Sequence, residues 1–486
     1  MKKYSAFLFF VVFTGLFLNA QPLRLHPHNQ RYFEYRGKPV LLVTSAEHYG
    51  AVLNKEFDYK KYLAALAADG MNYTRIFAGT YVEIPGSFGI ENNTLAPATG
   101  QYLAPWQRTA EPGTWEGETK FDLSRWDEAY FLRLKDFLEE ASRHGIFVEV
   151  TLFCSTYSDR SWLRHPFHPE NNVNGLGDLH RRETTTLRNP KLAAFQKAFV
   201  EKMVTELNGY DHFFWELQNE PWADNGARGM RILKTHSLTE KSWAQFAELA
   251  NKESLEWQKE MARVITDTEK KLPSRHLIAQ NYCNFKESLA DVADEISVLN
   301  FHYAWPDAVR MNYGWNRPVG FDESGFTGSD DADYLLQAWE FMIAGGALFN
   351  NLDYSFYVGQ EGGAGKNTAP GGGSKKLRAG LKILRDFIES FDFIKMAPDV
   401  TVIWHAPGVE WQAISEPGRQ YALVLSGKGN NTLIFRLPKG KYRAEWVDPR
   451  TGLVIHTDEI ASRGQQVQIK TPSFEGFAGC RLVRAK

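Results

Sequence analysis

The sequence predicts a (β/α)8 barrel followed by a small all-β sandwich domain. Between about residues 36 and 395, short apolar runs alternate with stretches whose apolar residues recur at helical spacing. Eight strands that alternate with helices in this way are typical of a (β/α)8 barrel. After about residue 396, short strands follow one another with turns and no helix between them, which indicates a β-sandwich. A chain of 486 residues has room for one large and one small domain.

The N-terminus has the pattern of a secretory signal peptide. Two lysines precede an apolar run from Phe7 to Leu18, and the small Ala20 stands before a polar residue. We therefore predict a signal peptide over residues 1–20, a barrel over 21–395, a sandwich over 396–486, and a secreted or periplasmic protein. The apolar run is short for a membrane span and no later stretch is long and apolar enough, so we expect none.

Short apolar runs bounded by turn residues predict the strands. The predicted barrel strands are Pro39–Ser45, Asn72–Phe77, Ile146–Phe153, Phe213–Gln218, His276–Asn281, Glu295–Tyr303, Pro318–Asp322 and Ala347–Ser355. The predicted sandwich strands are Val400–His405, Glu410–Ile414, Tyr421–Ser426, Thr432–Leu437, Tyr442–Asp448, Leu453–Thr457, Gln466–Lys470 and Cys480–Arg484.

Apolar residues at helical spacing predict the helices. In Trp126–Arg143, for example, Phe131, Leu134 and Phe137 fall on one stripe, and Gly145 follows the end of the helix. Proline is favoured in the first turn of a helix, as at Pro190. The predicted helices are Phe57–Ala68, Trp126–Arg143, Pro190–Leu207, Ser242–Lys270, Tyr334–Ile343 and Leu377–Ser390.

Composition excludes several classes of partner. The formal net charge is −2 with acids and bases interspersed, which argues against a nucleic acid partner. Three widely separated cysteines exclude a disulfide framework and a CxxC zinc site. His165, His168 and His180 share one loop but fit no familiar metal spacing. We expect a monomer with no metal and no cofactor.

Aromatic residues in apparent loops favour a carbohydrate partner. Several tryptophans and tyrosines stand beside Gly, Asn or Pro, among them Trp222 and Trp305. Sugar rings stack their C–H faces on flat aromatic surfaces, so such residues suit a glycan cleft. The alternative is that a large protein exposes some aromatic side chains in any case.

Two glutamates stand at the ends of predicted strands. Strand four runs into Asn219-Glu220-Pro221, and strand seven into Asp322-Glu323-Ser324. Strands four and seven lie on opposite sides of a (β/α)8 barrel, so Glu220 and Glu323 would face each other at its mouth. Retaining hydrolysis of a glycosidic bond needs two carboxyl groups about 5 Å apart, one protonated and one ionised. The pair therefore predicts a glycosidase site.

The motifs around these glutamates resemble those of clan A glycoside hydrolases, especially family five. The resemblance implies that Glu220 is the acid/base, that Asn219 binds the sugar 2-hydroxyl, and that Glu323 in Glu-Ser-Gly is the nucleophile. The second-strand Asn72-Tyr73-Thr74-Arg75-Ile76 resembles the family's Asn-x-x-Arg-Ile. It implies that Arg75 lies beside Glu323 and keeps it ionised.

The sequence departs from the family's pattern on strands six and eight. His302 and Tyr303 resemble the family's sixth-strand His and Tyr, which it commonly spaces by one more residue, so either of them could contact Glu323. Where the family usually has Trp on strand eight, this chain has Tyr354. We expect these three residues, with Trp222 and Trp305, to contact substrate.

We predict structural rather than catalytic roles for two further acidic residues on the same strands. Glu216 precedes Glu220 by four positions on strand four, so its side chain can also point inward. We expect Glu216 to be a buried carboxylate paired with a base. Asp322 directly precedes Glu323 and should point to the other face of the strand.

Three functions remain open at this stage. The first is a retaining hydrolase of β-linked polysaccharides or oligosaccharides. The second is a debranching exo-glycosidase similar to apiosidase-like proteins, which a blocked pocket rather than an open groove would favour. The third is a catalytically inactive glycan-binding protein. The sandwich could bind glycan or support the barrel. We favour support because no row of exposed aromatic residues is evident beyond Trp404, Trp411 and Trp446.

Overall fold

The computed structural model describes residues 21–224, 232–233 and 246–485, so the predicted signal peptide lies outside the described residues. Eight parallel strands form the sheet of the barrel, in the order one-eight-seven-six-five-four-three-two. An antiparallel all-β region follows, and the predicted fold class is therefore confirmed. The barrel strands are Leu42–Ala46, Tyr73–Phe77, Phe147–Cys154, Phe213–Asn219, Ile278–Asn284, Val298–His302, Val319–Ser324 and Leu348–Leu352.

The first predicted strand divides into two. Lys38–Val40 pairs with Phe33–Tyr35 in a hairpin below the barrel, and only Leu42–Ala46 joins the barrel sheet. Arg36 and Gly37 connect the hairpin with φ values of 50° and 77°. Two consecutive positive φ values are typical of the tight turns that join antiparallel strands.

A side chain closes the barrel between strands one and two. These strands are the two ends of the hydrogen-bonded order. Asn72, just before strand two, spans the gap: its Oδ1 accepts from Val43 N at 3.1 Å, and its Nδ2 donates to Leu41 O at 2.8 Å. The amide of Asn72 thus supplies hydrogen bonds that backbone pairing supplies elsewhere in the barrel.

We expect Asn72→Ala to lower the free energy of unfolding by about 1–3 kcal/mol, because it leaves the backbone groups of Leu41 and Val43 without their partners. Urea denaturation followed by circular dichroism measures the change. The exposed Asn92→Ala should stay within about 0.5 kcal/mol of the unsubstituted protein. Equal urea concentrations at the midpoint of unfolding for the two variants would contradict the role given to Asn72.

Helices surround the sheet, and polar side chains start most of them. Asp58, Asp127, Asn189, Asn251 and Ser374 each accept a backbone N–H in the first turn, which satisfies donors that the helix itself leaves unpaired. The helices are Tyr59–Ala68, Glu128–Arg143, Asp159–Trp162, Pro190–Leu207, Lys252–Glu269, Pro306–Asn312, Asp331–Ile343 and Lys375–Glu389.

One helix prediction needs correction, and one connection between barrel strands has no helix. Of the predicted helix Ser242–Lys270, residues 242–245 lie outside the described part, and Phe246–Leu249 is a strand that pairs with strand five and with Ile232–Leu233. The helix itself begins only after Asn251, whose side chain caps it. Strands five and six are joined by an irregular segment without an α-helix, residues 285–297, all of which are described.

The long connection after strand two carries an unpredicted hairpin. Trp106–Pro112 pairs antiparallel with Thr119–Trp126. Trp126 therefore ends a strand, whereas its apolar character had placed it in the following helix. A further small strand, Arg24–Leu25, pairs with Phe33–Tyr35.

The C-terminal strands form two antiparallel sheets. The six-stranded sheet has the order Ala397–Pro398, Val409–Glu416, Gln420–Lys428, Glu475–Arg484, Gly440–Val447 and Val454–Ser462; the three-stranded sheet has the order Ile403–His405, Thr432–Arg436 and Gln466–Lys470.

One face of the larger sheet packs on the barrel helices. Phe477 contacts Trp339 with ring centroids 6.4 Å apart, and Ser426 Oγ donates to Glu340 Oε1 at 2.9 Å. Several buried apolar side chains of this sheet belong to the same core as the barrel. Among the helices described, none combines the length and apolar character needed to cross a membrane.

Candidate active site

The two glutamates singled out from the sequence meet at the mouth of the barrel. Glu220 directly follows strand four, and Glu323 lies in strand seven. A carboxylate oxygen of Glu220, one of Glu323 and a ring nitrogen of His302 lie within 4.8 Å of one another. The Tyr303 hydroxyl lies between the carboxyl groups, 2.7 Å from Glu323 Oε1 and 3.4 Å from Glu220 Oε1.

Glu323 has three hydrogen-bond donors around it. Tyr303 donates to Oε1, while Tyr49 and Arg75 donate to Oε2 at 3.2 and 3.3 Å. Burial raises the pKa of Glu323, the charge of Glu220 raises it further, and the positive charges of His302 and Arg75 lower it. These donors stabilise the ionised form of a carboxyl group that is only 6% exposed.

Glu220 is held in an uncommon backbone conformation. Its φ is 49°, a region that non-glycine residues adopt only when surrounding contacts hold them there. Its backbone N–H donates to Asn281 Oδ1 at 3.2 Å, and Ser155 Oγ donates to its carbonyl oxygen at 2.7 Å. Strands three and five thus fix the carboxyl group at the end of strand four. Neither Asn281 nor Ser155 was predicted as a site residue from the sequence.

The structure resolves which sixth-strand residue contacts which glutamate. Tyr303 OH makes the short bond to Glu323, whereas His302 Nδ1 lies 3.0 Å from Glu220 and 3.6 Å from Glu323. Tyr303 is able to follow His302 directly because its backbone turns at φ 47°. Both side chains therefore point into the site although they are adjacent in sequence.

Below the pair lies a buried layer of charge centred on Arg75. The Arg75 guanidinium donates to Glu216, and its Nη2 donates to Asn219 Oδ1 at 2.8 Å. Burial raises the pKa of Glu216 to about 7, against the lowering effect of Arg75. Glu216 pairs with a base low in the barrel, as its position predicted. Removing Arg75 would leave this carboxylate buried without its partner charge.

The prediction that Asp322 points to the other face of the strand is wrong. Its Oδ2 lies 3.4 Å from His302 Nε2 and 3.5 Å from Arg75 Nη2, inside the barrel. The register of strand seven shifts against both neighbouring strands around this residue, so the alternation of faces is broken there. Asp322 and Glu323 therefore both point inward.

The other residues predicted to contact substrate lie at different distances from the two glutamates. Asn219 Nδ2 donates to Tyr157 OH at 2.7 Å, beside the pair. Trp222 is 3% exposed and meets the His302 ring edge to face, with centroids 5.2 Å apart. Trp305 precedes helix Pro306–Asn312 and is half-buried. Tyr354 is buried against His48, with ring centroids 5.6 Å apart.

A narrow pocket opens above the two glutamates. Its volume is about 40 Å³, well below the roughly 300 Å³ at the lower end of ligand sites. A cavity of about 630 Å³ lies at the opposite end of the barrel, far from these carboxyl groups. The smaller pocket is lined by His48, Tyr49, Phe77, Glu83, Phe88, Leu95, Tyr157, Asn219, Glu220, Tyr303, Glu323, Phe326 and Leu352.

Two groups of side chains have the spacing of metal ligands. In the described part of the chain these are Glu220 with His302 and Glu323, and Glu149 with Glu216 and Asp322. The second group already surrounds the Arg75 guanidinium, which lies within ion-pair distance of all three carboxylates. His165 and His168 belong to neither group and pack against Trp162 instead.

Comparison with solved structures shows that other proteins share this fold. The chain is similar to a putative glycoside hydrolase from Bacteroides vulgatus, with a TM-score of 0.64, 12% identity, and coverage of 96% of this chain and 83% of that one. It is also similar to a glycoside hydrolase family 5 structure from the same organism, with a TM-score of 0.61, 13% identity, and coverage of 96% and 94%. A comparison with family models finds no match, and neither does one with curated proteins.

The predicted likeness to family five with a C-terminal β-sandwich is therefore confirmed at the level of the fold. At 12–13% sequence identity, these comparisons show a shared fold and nothing further. The chemistry has to be argued from this chain's own residues.

Proposed function

We propose that the chain is a secreted or periplasmic retaining glycoside hydrolase that cleaves β-linked glycans, with Glu323 as nucleophile and Glu220 as acid/base. The observation that carries the proposal is the carboxylate separation, within 4.8 Å. Retaining enzymes hold their two carboxyl groups about 5–5.5 Å apart, whereas inverting enzymes need about 6.5–9.5 Å to admit a water molecule between them. Export is proposed from the N-terminal pattern of residues 1–20.

The first step forms a covalent intermediate. Glu323 Oε attacks the anomeric carbon, the bond from that carbon to the glycosidic oxygen breaks, and Glu220 gives its proton to the departing oxygen. In the second step a water molecule attacks the same carbon, Glu220 accepts its proton, and the ester to Glu323 breaks. Two inversions leave the product with the configuration of the substrate.

The local charges support these roles. Two carboxyl groups this close disfavour double ionisation, and the proposed reaction needs one of them protonated and the other ionised. Arg75 and two tyrosine hydroxyls favour the ionised form of Glu323. His302 lies between Glu220 and Asp322. Burial would raise the pKa of Asp322, but His302 and Arg75 lower it to about 2. Asp322 therefore balances the charge of His302.

Tyr303→Phe should move the acidic limb of the pH profile of kcat/KM upward by about one pH unit. The reason is that the hydrogen bond from Tyr303 OH lowers the pKa of Glu323, so without it the nucleophile would gain its proton at a higher pH. Activity should fall as pH decreases through that pKa. The profile is measured on an aryl glycoside that the enzyme cleaves. Tyr357→Phe, outside the pocket, is the control; an unmoved acidic limb in Tyr303→Phe would contradict the arrangement.

Product stereochemistry tests the proposed class. Purified protein is assayed against a panel of β-linked glucans, mannans and xylans, and the anomeric configuration of the first product is followed by NMR. The β-anomer should appear first and then mutarotate. An α-anomer as first product would exclude the retaining route, and the absence of any hydrolysis with measurable glycan affinity would favour a binding protein.

The C-terminal sandwich is proposed to support the barrel rather than to bind glycan. Trp446 is fully buried, and Trp404 is 57% exposed with its ring covered by Arg436 at 3.7 Å. One face of the six-stranded sheet shares the core of the barrel. A row of exposed aromatic rings, which glycan-binding surfaces use, is not found among the described sandwich residues.

A further inference from the structure

We propose that the pocket above Glu220 and Glu323 receives a single uncharged sugar, the non-reducing end of a glycan, and that His48 and Glu83 bind its hydroxyl groups. The inference rests on the proposed hydrolase function. It adds a substrate class and the position of the cleaved bond, which is the terminal one.

Glu83 is a third carboxylate in the wall of this pocket. It is 2% exposed and accepts hydrogen bonds from Tyr81 OH at 3.3 Å, from Asn93 Nδ2 at 2.5 Å and from His48 Nε2 at 3.3 Å. Its backbone N–H donates to Leu95 O at 2.8 Å, which fixes the segment that carries it. A carboxylate offers about four acceptor positions, so Glu83 has capacity for a sugar hydroxyl.

His48 contains a buried polar atom that lacks a partner. Its Nε2 faces Glu83, while its Nδ1 is buried and has no hydrogen-bond partner within the described residues. Such orphaned atoms are rare in folded proteins because burying them without a partner costs about 1–3 kcal/mol. A ligand hydroxyl in the pocket that His48 lines would satisfy it.

The pair lies on the side of Glu323 that is remote from the acid/base. The His48 ring stacks on Tyr49, with centroids 5.7 Å apart, and Tyr49 donates to Glu323 Oε2. Glu220 lies on the other side of Glu323, where the Tyr303 hydroxyl contacts Oε1 of both glutamates. Because Glu220 protonates the departing oxygen, the leaving group lies on its side, and His48 with Glu83 would meet the sugar that becomes bonded to the nucleophile.

An aromatic ring closes the pocket across its mouth. Phe88 meets Tyr157 edge to face at 5.2 Å and Phe326 at 6.3 Å, so it bridges the connections after strands two, three and seven. Phe88 itself has φ 55° and is 43% exposed. Among the described residues Phe88 closes this side of the pocket, so a continuous polysaccharide chain could extend past the terminal sugar only if Phe88 moved aside.

The charges around the pocket favour an uncharged sugar. Of the described residues that line it, three carry carboxyl groups and one, His48, carries a base that is already bonded to Glu83. Arg75, just below, is engaged by Glu216 and Glu323. A uronic acid would bring a further negative charge to this wall, where the described part of the chain offers no free cation to meet it.

The first test is the pattern of products. Cellotetraose, mannotetraose, xylotetraose and β-galactotetraose labelled at the reducing end are incubated with the full-length enzyme and sampled early. The proposal predicts a labelled trisaccharide as the first product of the substrate that is cleaved. Labelled mono- or disaccharides at that stage would overturn it. Failure to cleave any glycan of the panel would overturn the proposed function and this inference with it.

The second test uses variants. Glu83→Gln should lower kcat/KM for the cleaved tetrasaccharide about 100-fold through the lost charge-assisted bonds, whereas Glu91→Gln in the same connection, which is exposed, should not. Activity of Glu83→Gln within twofold of the parent, with Glu323→Ala inactive, would overturn the inference and leave the proposed function intact.

Phe88→Ala tests the closure and is expected to fold because the side chain is half exposed. It should allow shorter labelled products to appear; an unchanged product pattern would contradict the role given to Phe88.

The preference for an uncharged sugar is tested separately. The 4-nitrophenyl β-D-glucuronide should be cleaved at least 100-fold more slowly than the best of the glucoside, mannoside, xyloside and galactoside. Comparable rates would contradict the charge argument.

Discussion

Glu323→Ala should lower kcat by about 10⁴-fold or more, equivalent to roughly 5.5 kcal/mol of activation free energy. Without the carboxylate no covalent intermediate forms, and Glu220 alone cannot displace the leaving group. The truncation also leaves a small space beside the anomeric carbon. Sodium azide should enter it and attack from the face that Glu323 occupied, giving an α-glycosyl azide from a β-linked substrate. Rate and product are measured by NMR and mass spectrometry.

Glu91→Ala is the control for this variant, because it removes an exposed carboxyl group from the same chain. It should retain the parent activity and give no azide adduct. A Glu323→Ala protein that keeps its circular dichroism spectrum and more than a tenth of the parent activity would remove the nucleophile assignment.

Glu220→Ala should slow hydrolysis of oligosaccharides by about 10³-fold, the usual range for loss of a general acid and base. The loss should depend on the leaving group, because a 2,4-dinitrophenyl glycoside departs without protonation. With that substrate the first step should remain fast and the covalent intermediate should accumulate. Azide, which needs no general base, should then release a β-glycosyl azide, opposite in configuration to the product from Glu323→Ala.

The two opposite azide products distinguish the roles of the glutamates more sharply than loss of activity does. Glu220 also sits at φ 49°, so the melting temperature of the variant is compared with that of the parent. Equal slowing of dinitrophenyl and oligosaccharide substrates would indicate a structural defect and contradict the acid/base role.

The sequence was sufficient to predict the fold class and the meeting of the two glutamates. Strand ends of a parallel barrel lie at one rim, so locating strands four and seven was enough to bring Glu220 and Glu323 together. Elements with strong local patterns were placed accurately, as for helix Pro190–Leu207 and strand Gln466–Lys470.

What the sequence did not reveal depends on tertiary contacts. Trp126 has the apolar character of a helix face, yet it ends a hairpin strand because Trp106 pairs with it. The inward direction of Asp322 follows from a register shift that no local pattern marks.

The wall of the pocket was also missed. His48 follows strand one, whereas Glu83 and Phe88 lie in the connection after strand two. They line one pocket because these two connections fold over the barrel mouth. Loops of this kind carry specificity, and their conformation is set by packing rather than by periodicity.

Trapping the intermediate tests the central claim most directly. The enzyme is incubated with the 2-deoxy-2-fluoro-β-glycosyl fluoride of the sugar that it releases, which slows both steps and the second more than the first. Intact mass should rise by one fluorosugar, and peptide mapping should place it on Glu323. A label on Glu220 or on any other residue, or turnover at an unchanged rate without a label, would contradict the account.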